Sequence, residues 1–471
     1  MIKSFKLVFV ACFLMSWHLN ASTACAQSIP IPNQSQLAWQ RAEFGVIFHY
    51  DLHVFDSTQY NQTSNRITPM MDYNIFNPAQ LDVEQWVLAA KSAGAKFALL
   101  TATHETGFAL FPSDYNPYSL KAVKWKGGKA DLVKDFVEAC RKHDIKPGIY
   151  LGIRWNSFFG VHDFKVDGTG AMQKNRQAFY NRMVEGMLTE ICTKYGPLFE
   201  IWFDGGASSP DKGAPDVLPI VKKYQPNALF YHNDQLAEAR WGGSETGTVG
   251  YPSWSTFPFN FTSSGEGAPP AISRNKFALL KHGDSLGKHW VPAMADAPLR
   301  GFGGRHEWFW EPNDEKHIYP LKDLLTMYHQ SVGRNSTLIL GLTPDNRGLM
   351  PDADVARLKE FGKEINKQFK NPLATTSGNG LKLEITLPSV KEFNQLVLQE
   401  KIEKGHRVSK FRIEAFQNGK WKTICQGSSI GHKYIYLFPK PVLVRKIRII
   451  VEESFAEPDF LSFSIYNNKT S

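Results

Sequence analysis

Between residues 40 and 345, short apolar runs alternate with stretches that carry apolar residues at helical spacing. The apolar runs are continuous, which is typical of parallel strands covered by helices. The predicted strands span residues 44–50, 96–102, 147–153, 199–203, 228–232, 246–250, 289–293 and 337–342. Helical patterns at 82–93, 131–142, 177–195 and 321–332 lie between them. Strand–helix alternation repeated about eight times predicts an α/β fold of the (β/α)8, TIM-like type.

An open, doubly wound sheet is the main alternative to a barrel. Such sheets typically carry a glycine-rich phosphate loop after the first strand. Here the first predicted strand is followed by His49, Tyr50 and Asp51 instead. The barrel is therefore the favoured prediction.

The pattern changes after a helical stretch at 352–369. Residues 371–380 are small and polar, which predicts a linker. Short β-prone runs follow at 381–387, 394–398, 411–416, 434–438 and 442–451, with turn residues at Asn418 and Gly419. We predict a barrel domain over residues 27–370 and an antiparallel β-sandwich over residues 371–471.

The N-terminus has the pattern of a signal peptide over residues 1–26. Lys3 and Lys6 precede an apolar run at 7–17, and Ala24-Cys25-Ala26 fits a small-x-small cleavage site. The apolar run is too short to span a membrane. We expect an exported protein, either periplasmic, on the cell surface or secreted. Lipid attachment at Cys25 is an alternative that the sequence leaves open.

Composition excludes several other classes of protein. With 42% hydrophobic and 21% charged residues, the 471-residue chain is not predominantly disordered. The net charge of +9 lies mostly after residue 370 and forms no Lys/Arg cluster, so we expect no nucleic-acid partner. Outside the leader, Cys140, Cys192 and Cys425 are too widely spaced for a disulfide framework or a zinc site. Buried thiols are favoured over a single pair.

Active-site residues of such barrels lie at the C-terminal ends of the strands. Those ends carry His49, His104, Glu105, Arg154, Trp155, Asp204, His232, Asn233, Asp296 and Arg300. Asp204 follows the run Ile201-Trp202-Phe203 and precedes two glycines, which allow a ligand to approach closely. It is a candidate nucleophile, and a helix-capping role is the alternative.

Glu245 is the candidate partner of Asp204. It lies in a glycine-rich segment next to Trp241, where an apolar wall would favour a raised pKa. A solvated loop carboxylate is the alternative. Two such carboxyl groups are what glycoside hydrolysis requires, since one attacks or activates water and the other protonates the leaving oxygen. His49 and His104 suit hydrogen bonds to sugar hydroxyls, and they lack a third residue at metal-ligand spacing.

These residues stand in segments that resemble glycoside hydrolase family 29, the retaining α-L-fucosidases. The resemblance covers nearly all of residues 37–365, including the opening strand at 44–49, the segment at 96–111 and the third strand at 146–155. It continues through 200–206, 241–247, 254–255, 290–292 and 308–309, and it is longest at 331–348.

The resemblance implies an exo-acting glycoside hydrolase in which Asp204 is the nucleophile and Glu245 the acid/base. The segment around Glu245 resembles the branch that cleaves α-1,3/4-linked fucose. Retention places the two carboxyl groups about 5–5.5 Å apart. The implied substrate is a fucosylated oligosaccharide or glycoconjugate, no cofactor is needed, and the oligomeric state stays open. The candidate substrate-binding residues are His49, His104, Glu105, Arg154, Trp155, Trp202, His232 and Trp308.

The chain departs from the family pattern at two strand ends. Glu105 stands where many members carry a second adjacent His, and Arg154-Trp155 differs from the usual third strand end. These changes motivate two alternatives: the same chemistry on a related sugar such as α-L-galactose, or a non-catalytic sugar-binding barrel. A glycan-binding role for the sandwich is a further alternative to a supporting one.

Overall fold

The structure is a computed structural model that describes residues 29–56, 60–261, 277–305 and 308–468. The predicted signal peptide, with Cys25, lies outside the described residues. Within these ranges no helix has the length and apolar character needed to cross a membrane. Cys140, Cys192 and Cys425 are buried free thiols, as predicted.

The first part of the chain forms a nearly closed barrel of eight parallel strands. The strands are β1 Phe44–Phe48, β2 Phe97–Thr103, β3 Lys146–Leu151, β4 Glu200–Ala207, β5 Leu229–Asn233, β6 Arg240–Trp241, β7 Ala293–Pro298 and β8 Ser336–Leu342. Their order around the sheet is β5-β4-β3-β2-β1-β8-β7-β6, in which each strand is hydrogen-bonded to the next. The first and last strands of this order, β5 and β6, are not hydrogen-bonded to each other, so the barrel is not fully closed. The predicted fold class is confirmed.

Helices flank the strands, and the first four begin after an Asn or Asp that caps them. They are α1 Gln34–Ala42, α2 Gln62–Ile67, α3 Val83–Ser92, α4 Leu132–Lys142, α5 Gly170–Lys194, α6 Leu218–Tyr224, α7 Leu321–Ser331 and α8 Asp352–Phe369. The side chains of Asp82 and Asp131 accept hydrogen bonds from the first turns of α3 and α4. Such caps satisfy backbone N–H groups that have no partner within the helix.

Two layers of apolar side chains hold the barrel together. One lies between the strands and the outer helices, with Phe48, Trp86 and Phe136 in contact. The other fills the barrel interior, where Trp39 of α1 lies at the base. Ile47 and Tyr150 belong to the interior layer and also line the cavity at the opposite end. The packed interior therefore forms the floor of that cavity.

The second half of the barrel differs from the predicted strands. The predicted strand at 246–250 is wrong, because the sixth strand is the two-residue β6. Residues 246–250 form a loop in which the Thr246 and Thr248 hydroxyls bond each other and the Val249 N–H donates to Gln330 of α7. The predicted strand at 289–293 is divided, since His289–Trp290 pairs antiparallel with Thr256–Phe257 and the barrel strand β7 begins at Ala293.

The second sheet is antiparallel and has the predicted sandwich character. Its strands are β9 Ala374–Asn379, β10 Lys382–Glu400, β11 Val408–Gln417, β12 Lys420–Gly427, β13 Tyr434–Ser454 and β14 Asp459–Tyr466. Their order is β9-β14-β10-β13-β11-β12, around an apolar core of their own. The predicted linker contains β9, and β10 and β13 each join two predicted strands. Shifts of register where β10 pairs with β13 account for the apparent breaks.

The sandwich contacts the barrel at the end opposite the cavity. Glu43, which precedes β1, accepts hydrogen bonds from His432 and Lys433. Asn335, which precedes β8, accepts one from the backbone of His432. These contacts favour a supporting role for the sandwich, because the N-terminal ends of the strands lie away from the mouth of the barrel.

Candidate active site

A cavity of about 150 Å³ opens at the C-terminal ends of the barrel strands. It is lined by Ile47, His49, Gln62, Arg66, His104, Glu105, Tyr150, Trp202, Asp204, Glu245, Asp296 and Trp308. Both candidate catalytic carboxyl groups are among these residues. So are five of the eight candidate substrate-binding residues: His49, His104, Glu105, Trp202 and Trp308.

Asp204 lies at the end of the apolar part of β4. Its side chain faces the open cavity, and Trp202 Nε1 donates to its Oδ1 at 3.4 Å. Desolvation by the cavity walls raises the pKa of Asp204 above its ordinary value, while the charges of Arg154 and Arg66 oppose that rise. An accessible carboxylate flanked by cations suits a nucleophile.

The two glycines after Asp204 are required by close packing. Both have positive φ, 66° at Gly205 and 79° at Gly206. A Cβ at Gly205 would lie 2.6 Å from Arg154 Nη1, and one at Gly206 would lie 2.6 Å from His232 Cε1. Glycine therefore lets Arg154 and His232 pack against the backbone that follows Asp204.

Glu245 reaches the same cavity from the loop after β6. Trp308 Nε1 donates to Glu245 Oε2 at 3.0 Å. The loop is fixed at Gly247, whose N–H donates to the Asp296 carbonyl at 2.8 Å. The indole of Trp308 thus orients a carboxyl group that arrives on a segment without regular structure.

Asp296, on β7, is a third carboxyl group in the cavity. Its Oδ1 accepts a hydrogen bond from Trp241 Nε1 at 2.9 Å. Desolvation by burial, followed by the negative charges of Glu245 and Asp204, raises its pKa well above the ordinary value. A neutral, hydrogen-bonding Asp296 is the form that this environment favours.

His49 follows β1, and His104 follows β2. Their rings meet edge to face at 5.7 Å, and the His104 ring stacks on Tyr150 at 5.4 Å. Burial lowers the pKa of both, to about 3 for His49, so both are neutral. The Nδ1 atoms of both are buried without a hydrogen-bond partner in the described structure. Neutral imidazoles suit sugar hydroxyls, which both donate and accept.

Glu105 lines the cavity but is already hydrogen-bonded. Its Oε1 accepts from Arg66 Nε at 2.8 Å and from Gln62 Nε2 at 3.2 Å, and its Oε2 accepts from the Tyr60 hydroxyl at 3.3 Å. Burial raises the pKa of Glu105 to about 7, against the opposing charge of Arg66. Both carboxylate oxygens of Glu105 therefore accept hydrogen bonds from other side chains of the protein.

Three candidate binding residues are not part of the main cavity lining. Arg154 and Trp155 line a small cleft that adjoins the cavity and shares Asp204 with it. Arg154 Nε donates to Asp163 Oδ1 at 2.7 Å. His232 packs behind Gly206.

The other two strand-end residues, Arg300 and Asn233, make structural contacts. Arg300 pairs with Asp354 at 2.6 Å. The Asn233 side chain accepts hydrogen bonds from the backbone N–H groups of Gln235 and Leu236.

Sequence reasoning missed three polar residues of the cavity and left Asp296 out of the predicted site. Gln62 and Arg66 lie on α2, in a polar stretch between predicted strands, and no strand end marks them. Tyr150 lies inside β3, in an apolar run where no strand end marks it. Asp296 was on the strand-end list, and its position two residues before the end of β7 was the available signal.

The site carries the chemistry of carboxyl groups. The described part of the chain contains no cluster of three or more His, Cys, Asp or Glu side chains that could hold a metal ion. Asp204 and Glu245 enter the cavity from different strand ends and are oriented by different tryptophans. This arrangement supplies a nucleophile or base and a second group able to transfer a proton.

Comparison with known proteins shows what the chain is similar to. A family profile described as Alpha-L-fucosidase matches residues 18–251. A crystal structure of a putative alpha-L-fucosidase from Bacteroides thetaiotaomicron is 57% identical. It covers 94% of this chain and 100% of that one, with a TM-score of 0.91. A glycoside hydrolase 29 family member from an unknown rumen bacterium is 30% identical, covering 94% and 78%, with a TM-score of 0.77. Alpha-L-fucosidase 1 of Arabidopsis thaliana is 27% identical, covering 94% and 88%.

Proposed function

Because the chain belongs to the α-L-fucosidase family, glycoside hydrolase family 29, we propose that it is a retaining exo-α-L-fucosidase that acts by double displacement. Its substrates are fucosylated glycans. The observation that supports the mechanism is that Asp204 and Glu245 line one cavity in different environments.

In the first step, Asp204 attacks the anomeric carbon of the fucosyl unit. The bond to the glycosidic oxygen breaks, and Glu245 donates a proton to that oxygen, so that the leaving group departs as an alcohol. A covalent fucosyl–Asp204 ester remains. Arg66 and Arg154 support this step by favouring the ionised carboxylate.

In the second step, Glu245 acts as a base. It takes a proton from a water molecule that attacks the anomeric carbon, and Asp204 departs as a carboxylate. The two inversions give net retention. Asp296 contributes a neutral carboxyl group, which avoids adding a second negative charge to the one that Asp204 and Glu245 carry between them.

The cavity floor recognises the sugar. The neutral imidazoles of His49 and His104 line the cavity and face its hydroxyl groups, and the Trp308 ring, 5.0 Å from that of His49, offers an apolar face to the methyl group. Neutral histidines bind hydroxyl groups without adding charge to the site.

We further propose specificity for α-1,3/4-linked fucose, on the basis of the segment 241–247 that carries Glu245. Export to the periplasm or cell surface is proposed from the N-terminal segment, with lipid attachment at Cys25 as a variant of the same proposal.

The test is release of free fucose from a nitrophenyl α-L-fucoside and from a branched Lewis-type trisaccharide. Wild type is compared with Asp204→Ala and with Asp211→Ala, a matched change at an exposed Asp. Release from the trisaccharide alone, lost only in Asp204→Ala, supports the linkage and the nucleophile. Release from both substrates indicates broader specificity. Release from neither would overturn the proposed activity.

A further inference from the structure

A short segment after β1 forms part of the cavity wall, and its helix buries no apolar side chain. This segment, residues 60–67, contains Tyr60 and helix α2. No residue of α2 is buried, and Ile67 is 59% exposed. Apolar burial therefore contributes little to the position of α2, whereas Tyr60 is 6% exposed and packs in the core. Gln62 and Arg66 nevertheless line the cavity.

Polar contacts hold the segment at both ends. At one end, the Tyr60 N–H donates to Glu311 Oε1 at 2.6 Å, and its ring packs on Phe309. At the other, the Arg66 guanidinium lies 4.8 Å from the centre of the Trp155 ring. Between them, Glu105 accepts hydrogen bonds from three residues of the segment.

Glu105, which follows β2, joins the segment to the strand ends through an ion pair with Arg66. Its side chain is 6% exposed, and its ion pair with Arg66 measures 2.8 Å. Arg66 is 31% exposed, so Glu105 is the partner whose buried charge depends on the pair. Loss of the Glu105 charge would release Arg66 and Gln62 from the cavity wall.

We propose that Glu105 is a positioning residue that holds Gln62 and Arg66 against the fucosyl unit, where both donate hydrogen bonds to sugar hydroxyls. This inference rests on the proposed fucosidase function and deepens it. Arg66 has a second role, because its charge also favours the ionised form of Asp204. Glu105 itself does not touch the sugar.

The proposal predicts a pH dependence of substrate binding. Glu105 faces the charge of Arg66 and the hydroxyl of Tyr60, and it interacts with the carboxyl groups of Asp204 and Asp51. With its pKa raised to about 7 by burial, Glu105 is ionised above that pH and neutral below it. The ion pair therefore weakens as the pH falls through about 7.

The experiment measures KM and kcat on the branched Lewis-type trisaccharide for wild type, Glu105→Gln, Arg66→Met and the double variant. We expect KM to rise about tenfold in each single variant, the size of effect of one lost charge-assisted hydrogen bond. The double variant should lose little more, because residues that act through each other are not additive. Glu403→Gln, which removes an exposed partner of Arg41, is the matched control.

The pH profile of KM distinguishes a positioning role of Glu105 from a general loss of folded structure in the variant. Wild-type KM should rise as the pH falls through about 7, and KM of Glu105→Gln should be high and independent of pH in that range. Glu105→Gln should unfold no more readily than wild type at about pH 8, because it removes a buried charge. An unchanged KM, fully additive effects or a wild-type pH response in Glu105→Gln would overturn the proposal.

Failure of this proposal is distinguishable from failure of the proposed function. An active wild type whose activity is lost in Asp204→Ala retains the fucosidase mechanism, whatever Glu105→Gln does. If the wild type releases no fucose, the proposed function is wrong, and the role proposed for Glu105 is wrong as well.

Discussion

Strand β4 carries two carboxyl groups four residues apart, one at each end of the barrel. Glu200 lies at the base and Asp204 at the cavity. Each accepts a hydrogen bond from an indole: Trp39 Nε1 to Glu200 Oε2 at 2.9 Å, and Trp202 Nε1 to Asp204 Oδ1 at 3.4 Å. The indole partner therefore does not distinguish the two ends.

Nearby cations and access to the surface distinguish them. Glu200 is fully buried, its Oε1 has no hydrogen-bond partner in the described structure, and burial raises its pKa to about 8. Asp204 faces an open cavity, and Arg66 and Arg154 counter the desolvation that raises its pKa. One strand thus holds a neutral structural acid and a carboxylate suited to nucleophilic attack.

The largest effect is expected from removing Asp204, the carboxyl group at the cavity end of β4. Asp204→Ala should lower kcat by a factor on the order of 10⁴, since no covalent intermediate forms without the nucleophile. Thermal unfolding should be unchanged or shifted upward, because a desolvated charge is removed. Fucose release and calorimetry on one preparation measure both, and a variant that loses activity only because it is unfolded would contradict this prediction.

Glu245→Gln tests the second carboxyl group. Loss of the acid should reduce kcat/KM by about 10²–10⁴-fold on an oligosaccharide, whose leaving group needs a proton. The loss should be smaller on a fucosyl fluoride, whose leaving group departs readily without one. Equal losses on the two substrates would argue against an acid/base role for Glu245.

Removing a cation makes the two ends of β4 more alike. Arg154→Met should raise the pKa of Asp204, so the acidic limb of the kcat/KM profile should move up by about one pH unit. Activity well above that limb should be less affected. A profile that keeps its acidic limb in place would show that Arg154 does not influence the nucleophile.

The smallest effect is expected at the base. The pKa of Glu200 is raised on folding, so its contribution to stability is lost as the pH rises through about 8. Glu200→Gln should change stability by no more than about 1 kcal/mol at about pH 4, below the ordinary carboxyl pKa of 4.5, where both side chains are neutral in the folded and the unfolded state. It should unfold later than wild type at alkaline pH, with activity nearly unchanged. A large loss of fucose release would show that the base is coupled to the cavity.

Much of the cavity end could be predicted because its strands are continuous apolar runs with polar ends. β1 and β2 lie within one or two residues of their predicted bounds, and Asp204 follows directly from the end of such a run. The antiparallel tail was also readable from its β-prone runs. Helix α8 was predicted at its observed bounds.

The features that could not be predicted from the sequence depend on contacts between segments that are distant along the chain. Arg66 and Gln62 belong to a polar stretch whose place in the cavity is set by Glu105, 39 residues away from Arg66 along the chain. β6 is two residues long, below what periodicity detects, so the β-prone loop at 246–250 was assigned in its place. Tyr150 lines the cavity from within a strand, where its pattern is that of a core residue.

The most direct test of the account is covalent trapping. Wild-type protein is incubated with a 2-fluoro-fucosyl fluoride, which slows hydrolysis of a glycosyl–enzyme ester, and the labelled peptide is identified by mass spectrometry. The account predicts one fucosyl adduct, on Asp204, and none in Asp204→Ala. An adduct on another carboxyl group, or an active enzyme that forms no adduct and releases fucose with inverted configuration, would contradict it.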